Sequence, residues 1–356
     1  ENFMSGLSEI LRDDEFSQVN ATIYRNSSTL PASTNRLRWK RVTDRLGRFA
    51  AESSIAMRAG PSHDALLFLN YHTPLAVRSK RAVTIIHDLQ YRHLPEFCSP
   101  SKRLWLKLCH AATLRNCHRV VTISSAVKSD VLQQYGSQWE NRIEVIWNPV
   151  SVDRFSGSLE YDITQGRPYI LCVAMDRPQK NLFRLVQAFA QLRSKFPDYC
   201  LVLAGQLRSA RRETRERSRK VSKEMPATVD IVDALGLSEH VCVTGFVSDQ
   251  QLGALYRGAT MCVLPSLFEG FGMPAIESLA MAKPTLVSGL PVLREVTLGS
   301  AQYMDDPTNV GAMTEHIVEI LNSTKRYTPT EHLVQQIRTM FSPRTIVRRY
   351  LEVLIY

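Results

Sequence analysis

No stretch of the 356 residues approaches ~18 uninterrupted apolar positions, so a membrane-spanning helix is not expected. The beginning of the chain lacks the basic-then-apolar pattern of a secretory signal. Cysteine is sparse and scattered. The seven thiols (Cys98, Cys109, Cys117, Cys172, Cys200, Cys242, Cys262) form no C-x-x-C pair, which argues against zinc and disulfide frameworks and for buried thiols in a reducing compartment. There is no G-x-S-x-G, no H-E-x-x-H and no P-loop, and the G-x-G-x-x-G fingerprint with a downstream acid is missing. Those absences remove the serine-hydrolase, zinc-protease, P-loop and dehydrogenase templates. Despite a net charge of +10, no nucleic-acid fold signature accompanies the basic residues, and nucleic acid is not an expected partner.

What is present is an ordinary globular composition, 44% hydrophobic and 22% charged, at a length suited to two α/β domains. Apolar runs at 65–69, 82–86, 119–123 and 143–146 read as strands, and apolar residues at three- and four-residue spacing make 104–116 a helix. Ser124-Ser125 supplies a cap for a helix through Gln134. Asn148-Pro149-Val150 and the polar stretch to Gly166 mark a boundary, after which runs at 169–173, 201–205, 241–245 and 261–264 repeat the alternation. Strands alternating with helices predict a parallel, doubly wound sheet in each half. The expected domains are 1–150 and 151–340, with a C-terminal helix over 341–356 packing back towards the first.

The densest chemistry lies in Glu269-Gly270-Phe271-Gly272-Met273-Pro274-Ala275-Ile276-Glu277, directly after the apolar run Met261–Leu264. Two glycines open a turn, and Pro274 suits the first turn of a helix, where its missing N–H costs nothing. A helix start above a strand end presents free N–H groups and a positive dipole end, a seat for phosphate. Carboxylates beside such a seat repel the ligand unless their own partners are hydroxyls. Phosphate and hydroxyls together point to a nucleotide sugar.

The segment resembles the signature of retaining glycosyltransferases of the GT-B fold, family 4. Four further segments fall where that family has similar ones: His87-Asp88-Leu89, Lys180-Asn181-Leu182, Thr244-Gly245-Phe246-Val247 with the run Leu252–Ala259, and Pro291-Val292-Leu293-Arg294-Glu295-Val296. The resemblance implies two doubly wound Rossmann-like domains facing a central cleft, an N-terminal one for the acceptor and a C-terminal one for the donor. It implies that His87 and Glu269 contact the donor sugar, that Lys180 and Arg177 meet its diphosphate, and that Glu277 takes the ribose. The backbone of Gly270, Phe271, Gly272 and Met273 would line sugar and diphosphate, and Val247 and Leu252 the base. Asp88 is expected to orient the His87 ring. Where the family often has an arginine five residues before the lysine, this chain has Met175. The family's opening strand and glycine-rich loop are expected to be absent from this numbering, Glu1–Leu7 reading as the helix that follows them. No D-x-D triplet, the metal-binding motif of the other large glycosyltransferase architecture, occurs, so neither metal nor cofactor is expected.

The segment His87–Tyr91 with Leu94–Phe97 resembles bacterial mannosyltransferases of polysaccharide assembly, which implies GDP-mannose as donor and a glycan or lipid-linked acceptor. UDP- and dTDP-sugars, or a catalytically silent glycan-binding member, are the alternatives. The expected location is the cytoplasm. Arg36-Leu37-Arg38-Trp39-Lys40-Arg41, continuing to Arg45 and Arg48, has the composition of a segment at an anionic membrane face; a basic solvated helix is the competing reading. A second basic run, Arg208 to Lys223, reads as a solvated helix or loop.

Overall fold

The computed structural model describes residues 2–12, 16–25, 34–41, 63–69, 81–157, 160–207 and 227–355. The chain divides into two compact units, Glu1–Pro149 with Met340–Tyr356, and Val150–Thr339.

In the first unit, β1 (Ala21–Arg25) pairs in parallel with β2 (Leu37–Arg41). A separate parallel sheet runs in the order β3 (Leu66–Phe68), β4 (Ala82–Ile86), β5 (Arg119–Thr122), β6 (Ile143–Val145). All five residues of β4 are buried, as a central strand covered on both faces requires. The helix expected at 104–116 begins earlier, at Pro100, with Ser99 accepting from Lys102 N–H as its cap. The Asn2–Ile10 helix buries Leu7 and Ile10 with Val347 and Leu351 of the Pro343–Ile355 helix. Gly6 permits that approach, because a Cβ there would lie 2.3 Å from the Pro343 carbonyl oxygen.

The helical reading of the first basic run is corrected by this unit. Residues 37–41 are strand, Leu37 is buried, and the Arg36 guanidinium donates to the carbonyls of Phe16 and Val19. Alternating arginine, leucine and tryptophan is a period-two pattern, which suits a strand with one covered face. Residues 42–62, including Arg45 and Arg48, and the second run Arg208–Lys223 lie outside the described residues.

The second unit holds six parallel strands: β7 (Tyr169–Val173), β8 (Cys200–Ala204), β9 (Val241–Gly245), β10 (Met261–Leu264), β11 (Thr285–Ser288) and β12 (Gln302–Met304). Their order is β12-β11-β10-β7-β8-β9. This is the doubly wound Rossmann arrangement, and it reverses direction between β7 and β10. Helices Leu182–Leu192 and Val310–Asn322 bury Leu185, Phe189, Met313 and Ile317 with Ile170, Leu201 and Val263 of the strands. Strands β1, β2, β11 and β12 were not read from the sequence. β1 and β2 mix polar or basic residues with the apolar ones, β11 holds only Leu286 and Val287 between Thr285 and Ser288, and β12 is only partly buried, so none makes a long apolar run.

Candidate active site

Ligands of doubly wound sheets bind beyond the carboxyl ends of the strands, where the strand order reverses. Two loops meet there: the one after β7, from Ala174 to Asn181, and the one after β10, from Pro265 to Gly272. They are stitched together. Leu267 N–H donates to the Gln179 carbonyl at 2.7 Å. Asn181, fully buried, donates its amide to the Pro265 carbonyl at 3.1 Å and the Pro307 carbonyl at 2.7 Å, and its Oδ1 accepts from Arg184 at 2.8 Å. Its φ of 58° places it in the left-handed region, which asparagine tolerates better than other side chains. One asparagine therefore turns the chain into the Leu182–Leu192 helix and locks the two loops.

That lock sets Lys180 against Glu269. Lys180 Nζ lies 2.5 Å from Glu269 Oε1, and Ser266 Oγ donates to the same oxygen at 2.7 Å. The Glu269 side chain is 8% exposed and that of Lys180 21%, so the pair is largely covered, Lys180 being the more open of the two. Glycines 270 and 272 then lead into the Met273–Ala280 helix, with Pro274 in its first turn. Gly272 has φ 95°, a conformation that favours glycine, and a Cβ on it would meet Leu293 Cδ2 at 2.4 Å, so that side chain would have to shift. Phe271 is buried, whereas Gly270 and Met273 are partly exposed. Arg177 is exposed, and so is the nearby Met175.

Glu277 belongs to a different network. It is buried, its Oε2 accepts from Tyr256 OH at 2.9 Å, and its Oε1 pairs with Arg154. Arg154 also faces Asp249 at 3.5 Å and lies 4.6 Å over the Phe155 ring. Burial pushes the Glu277 carboxyl above its ordinary range, while Arg154 and the Tyr256 hydroxyl pull it down. Burial and the Glu277 charge push Tyr256 well above its own range, so it stays a donor. Each carboxylate oxygen has two acceptor directions, which leaves Glu277 capacity for further hydroxyls.

Lys180 and Glu269 are thus brought together, while Glu277 is held apart from them by its own partners. Val247 lies between β9 and the Asp249–Gly258 helix, beside a Phe246 that is 97% exposed; Leu252 is half-buried in that helix. In the first unit, His87 follows β4 and its Nε2 lies 3.0 Å from the Leu69 carbonyl. A carbonyl only accepts, so Nε2 carries the proton. Asp88 Oδ1 accepts from Gln90 N–H at 2.9 Å, at the start of the Gln90–His93 turn.

Sequence reasoning missed Arg154, Tyr256, Ser266 and Asp176, the last buried and accepting from Thr228 Oγ1 at 3.0 Å. A usable signal existed for Tyr256: a tyrosine in the apolar stripe of its helix must find an acceptor for its hydroxyl. Arg154 gave none, lying in what reads as a polar linker. All seven cysteines are free thiols, and burial pushes Cys172 and Cys262, next to the site, up to about 12, which keeps them inert.

The family model described as "Glycosyl transferases group 1" matches residues 159–336, and that described as "Glycosyltransferase Family 4" matches residues 36–154. The chain is 26% identical over 265 residues to the O-antigen chain mannosyltransferase RfbU of Salmonella typhimurium, covering 74% of this chain and 67% of that one. It is 27% identical over 267 residues to O-antigen chain mannosyltransferase B of Escherichia coli, covering 70% and 65%. The chain thus spans about two thirds of the length of these curated relatives. Among solved structures it resembles sucrose-phosphate synthase of Thermosynechococcus elongatus (TM-score 0.71, 17% identity, 93% and 87% covered). It also resembles WaaG, a glycosyltransferase involved in lipopolysaccharide biosynthesis (0.69, 13%, 99% and 95%), and Anabaena HepE in complex with UDP-glucose (0.66, 17%, 89% and 84%). With two parallel α/β units, a Rossmann strand order and both family models matched, the chain belongs to the group 1 glycosyl transferases and is a glycosyltransferase of the GT-B fold.

Proposed function

We propose that this glycosyltransferase moves mannose from GDP-mannose to a glycan or lipid-linked acceptor in cell-surface polysaccharide synthesis, with retention of configuration and without a metal. The observation that supports it is the Lys180–Glu269 pair at the switch point of the second sheet. A cation for a diphosphate and a carboxylate for sugar hydroxyls stand side by side at the start of a helix. The O-antigen mannosyltransferases among the relatives favour mannose.

In this reading Lys180 and Arg177 face the diphosphate, and Glu269 accepts from the sugar hydroxyls. The backbone of Gly270, Phe271, Gly272 and Met273 lines the sugar and the diphosphate. Glu277 takes the ribose, Val247 and Leu252 flank the base, and His87 serves the sugar from the first unit. As the glycosidic bond breaks, negative charge grows on the leaving diphosphate, which Lys180 and the helix dipole stabilise more than they stabilise the intact donor. The sequence announces no carboxylate pair for a double displacement, so attack on the face of the departing diphosphate would give retention. The enzyme would work in the cytoplasm, meeting its acceptor at an anionic membrane face. In the Arg36–Arg48 run, Arg38 and Lys40 are exposed.

A panel of GDP-mannose, UDP-glucose and dTDP-sugars, with nucleoside diphosphate release followed with and without acceptor, tests the donor. The expected result is release from GDP-mannose that survives EDTA. Release from UDP- or dTDP-sugars only would replace the donor, rescue by manganese after EDTA would refute metal independence, and no release from any donor would refute the activity.

A further inference from the structure

The helix that follows His87, Gln90–His93, is four residues long. So brief a helix does not hold itself, because nucleation fixes many dihedrals for few hydrogen bonds. Its last three side chains are each held by the longer helices Pro100–Asn116 and Ser125–Tyr135. Arg92 Nη1 donates to the Asp130 carbonyl at 3.1 Å, and His93 Nε2 lies 2.6 Å from Asp130 Oδ2. Tyr91 is buried, and its hydroxyl lies 2.9 Å from Tyr135 OH and 3.3 Å from His110 Nδ1. The His110 ring packs against both tyrosines, with centroids 5.7 Å from Tyr91 and 6.4 Å from Tyr135.

The protons of this relay can be placed. Tyr135 OH donates to the Lys107 carbonyl at 3.3 Å, which uses its one proton, so towards Tyr91 it accepts. The Tyr91 hydroxyl then donates to Tyr135 and accepts from His110, whose Nδ1 carries a proton. Burial pushes both phenols above their ordinary range, which keeps them donors. The relay is also tied back to β4. Just past the helix that carries His110, Cys117 Sγ lies 3.2 Å from Thr84 Oγ1, and His118 N–H donates to the Ala82 carbonyl at 2.8 Å. The fold thus closes a circuit, from β4 through His87 to Tyr91 and through His110 back to β4. An apolar side chain at 91 would fill the same space, but directional bonds fix how the turn is rotated against its neighbours.

We propose that Tyr91 is a positioning residue for transfer: through its bonds to His110 and Tyr135 it sets the place of His87 at the carboxyl edge of β4. The inference rests on the proposed role of His87 at the donor sugar. With its Nε2 proton given to the Leu69 carbonyl, the His87 ring accepts through Nδ1. A group that serves a reacting sugar must be held within about 0.5 Å of its productive place, by neighbours that are themselves locked. Tyr91 is the locked neighbour, four residues along the chain from His87.

The test is a double-mutant cycle on the whole chain, reading GDP release from GDP-mannose. Tyr91→Phe should lower kcat about ten- to a hundredfold and leave KM and the affinity for GDP unchanged, since the nucleotide is held by the second unit. On a His87→Ala background the same substitution should have no further effect, because it acts through His87. The nitrogen resonances of the His87 ring, identified by their loss in His87→Ala, should shift in Tyr91→Phe. Tyr135→Phe, at a half-buried position, takes away the acceptor of Tyr91 and keeps the test open should Tyr91→Phe not fold; a smaller loss of the same kind is expected, again absent without His87. Full kcat in a folded Tyr91→Phe or in Tyr135→Phe, or losses that multiply with that of His87→Ala, overturns the inference while the role of His87 stands. A His87→Ala enzyme as fast as the wild type removes that role, and the inference with it.

Discussion

Replacing Glu269 by glutamine should tighten the binding of nucleoside diphosphates while slowing transfer. Lys180 is engaged by Glu269 at 2.5 Å, and the carboxylate is only 8% exposed. A diphosphate reaching Lys180 must therefore share it with an ionised neighbour. A phosphate charge at ~6 Å from that carboxylate is repelled by about 3 kcal/mol at an effective dielectric of ~20, and by less than 1 kcal/mol if water screens the gap. Glutamine removes this repulsion, keeps the shape, and can still accept from Ser266. The expected gain is about 1–3 kcal/mol, or roughly 5- to 150-fold in affinity. It should shrink with salt, because Lys180 is one-fifth exposed. Transfer should fall about tenfold or more, since a neutral amide cannot hold the sugar hydroxyls as a carboxylate does. Titration calorimetry of GDP and UDP against both proteins, with single-turnover transfer alongside, reads both effects. Unchanged or weaker nucleotide binding in the glutamine variant would refute the idea that Glu269 competes for Lys180.

Lys180→Ala should lower kcat about 100-fold and raise KM much less, because its interaction grows as the diphosphate leaves; a loss confined to KM would reduce Lys180 to a ground-state contact. Asn181→Ala strands two buried carbonyls and an unfavourable φ, a cost of about 2–4 kcal/mol. That corresponds to roughly 5–15 °C in Tm for a unit of this size by calorimetry, and a change under ~2 °C would contradict the locking role. Glu277 has its carboxyl raised above the ordinary 4.5 by burial, so folding favours its protonated form. Its contribution to stability is therefore present below 4.5 and is lost as pH rises through the folded value. Nucleotide binding, which uses the carboxylate as acceptor, runs the other way and should strengthen through that same window. Arg154→Met should shift the midpoint upward, and Glu277→Gln should flatten the profile and cost about 1–3 kcal/mol; calorimetry across pH showing identical midpoints in wild type and Arg154→Met would sink the assignment.

The sequence by itself determined the class of fold, the strands β3 to β10, and the Glu269–Glu277 segment. These are signals written over short distances. A strand covered on both faces must be apolar throughout, and a strand-to-helix turn needs glycine and tolerates proline at fixed places. Strands β11 and β12 carry no comparable run, because β11 has only Leu286 and Val287 between Thr285 and Ser288, and β12 is three residues opened by Gln302. Arg36–Arg41 misled as a helix because cations interleaved with apolar residues read equally as an amphipathic helix or a half-covered strand, and only pairing with β1 settles it. The partners in the site were decided by tertiary structure alone. Lys180 meets Glu269 across 89 positions and Arg154 meets Glu277 across 123. No local pattern encodes such distances; the strand order does, by bringing the ends of β7 and β10 side by side.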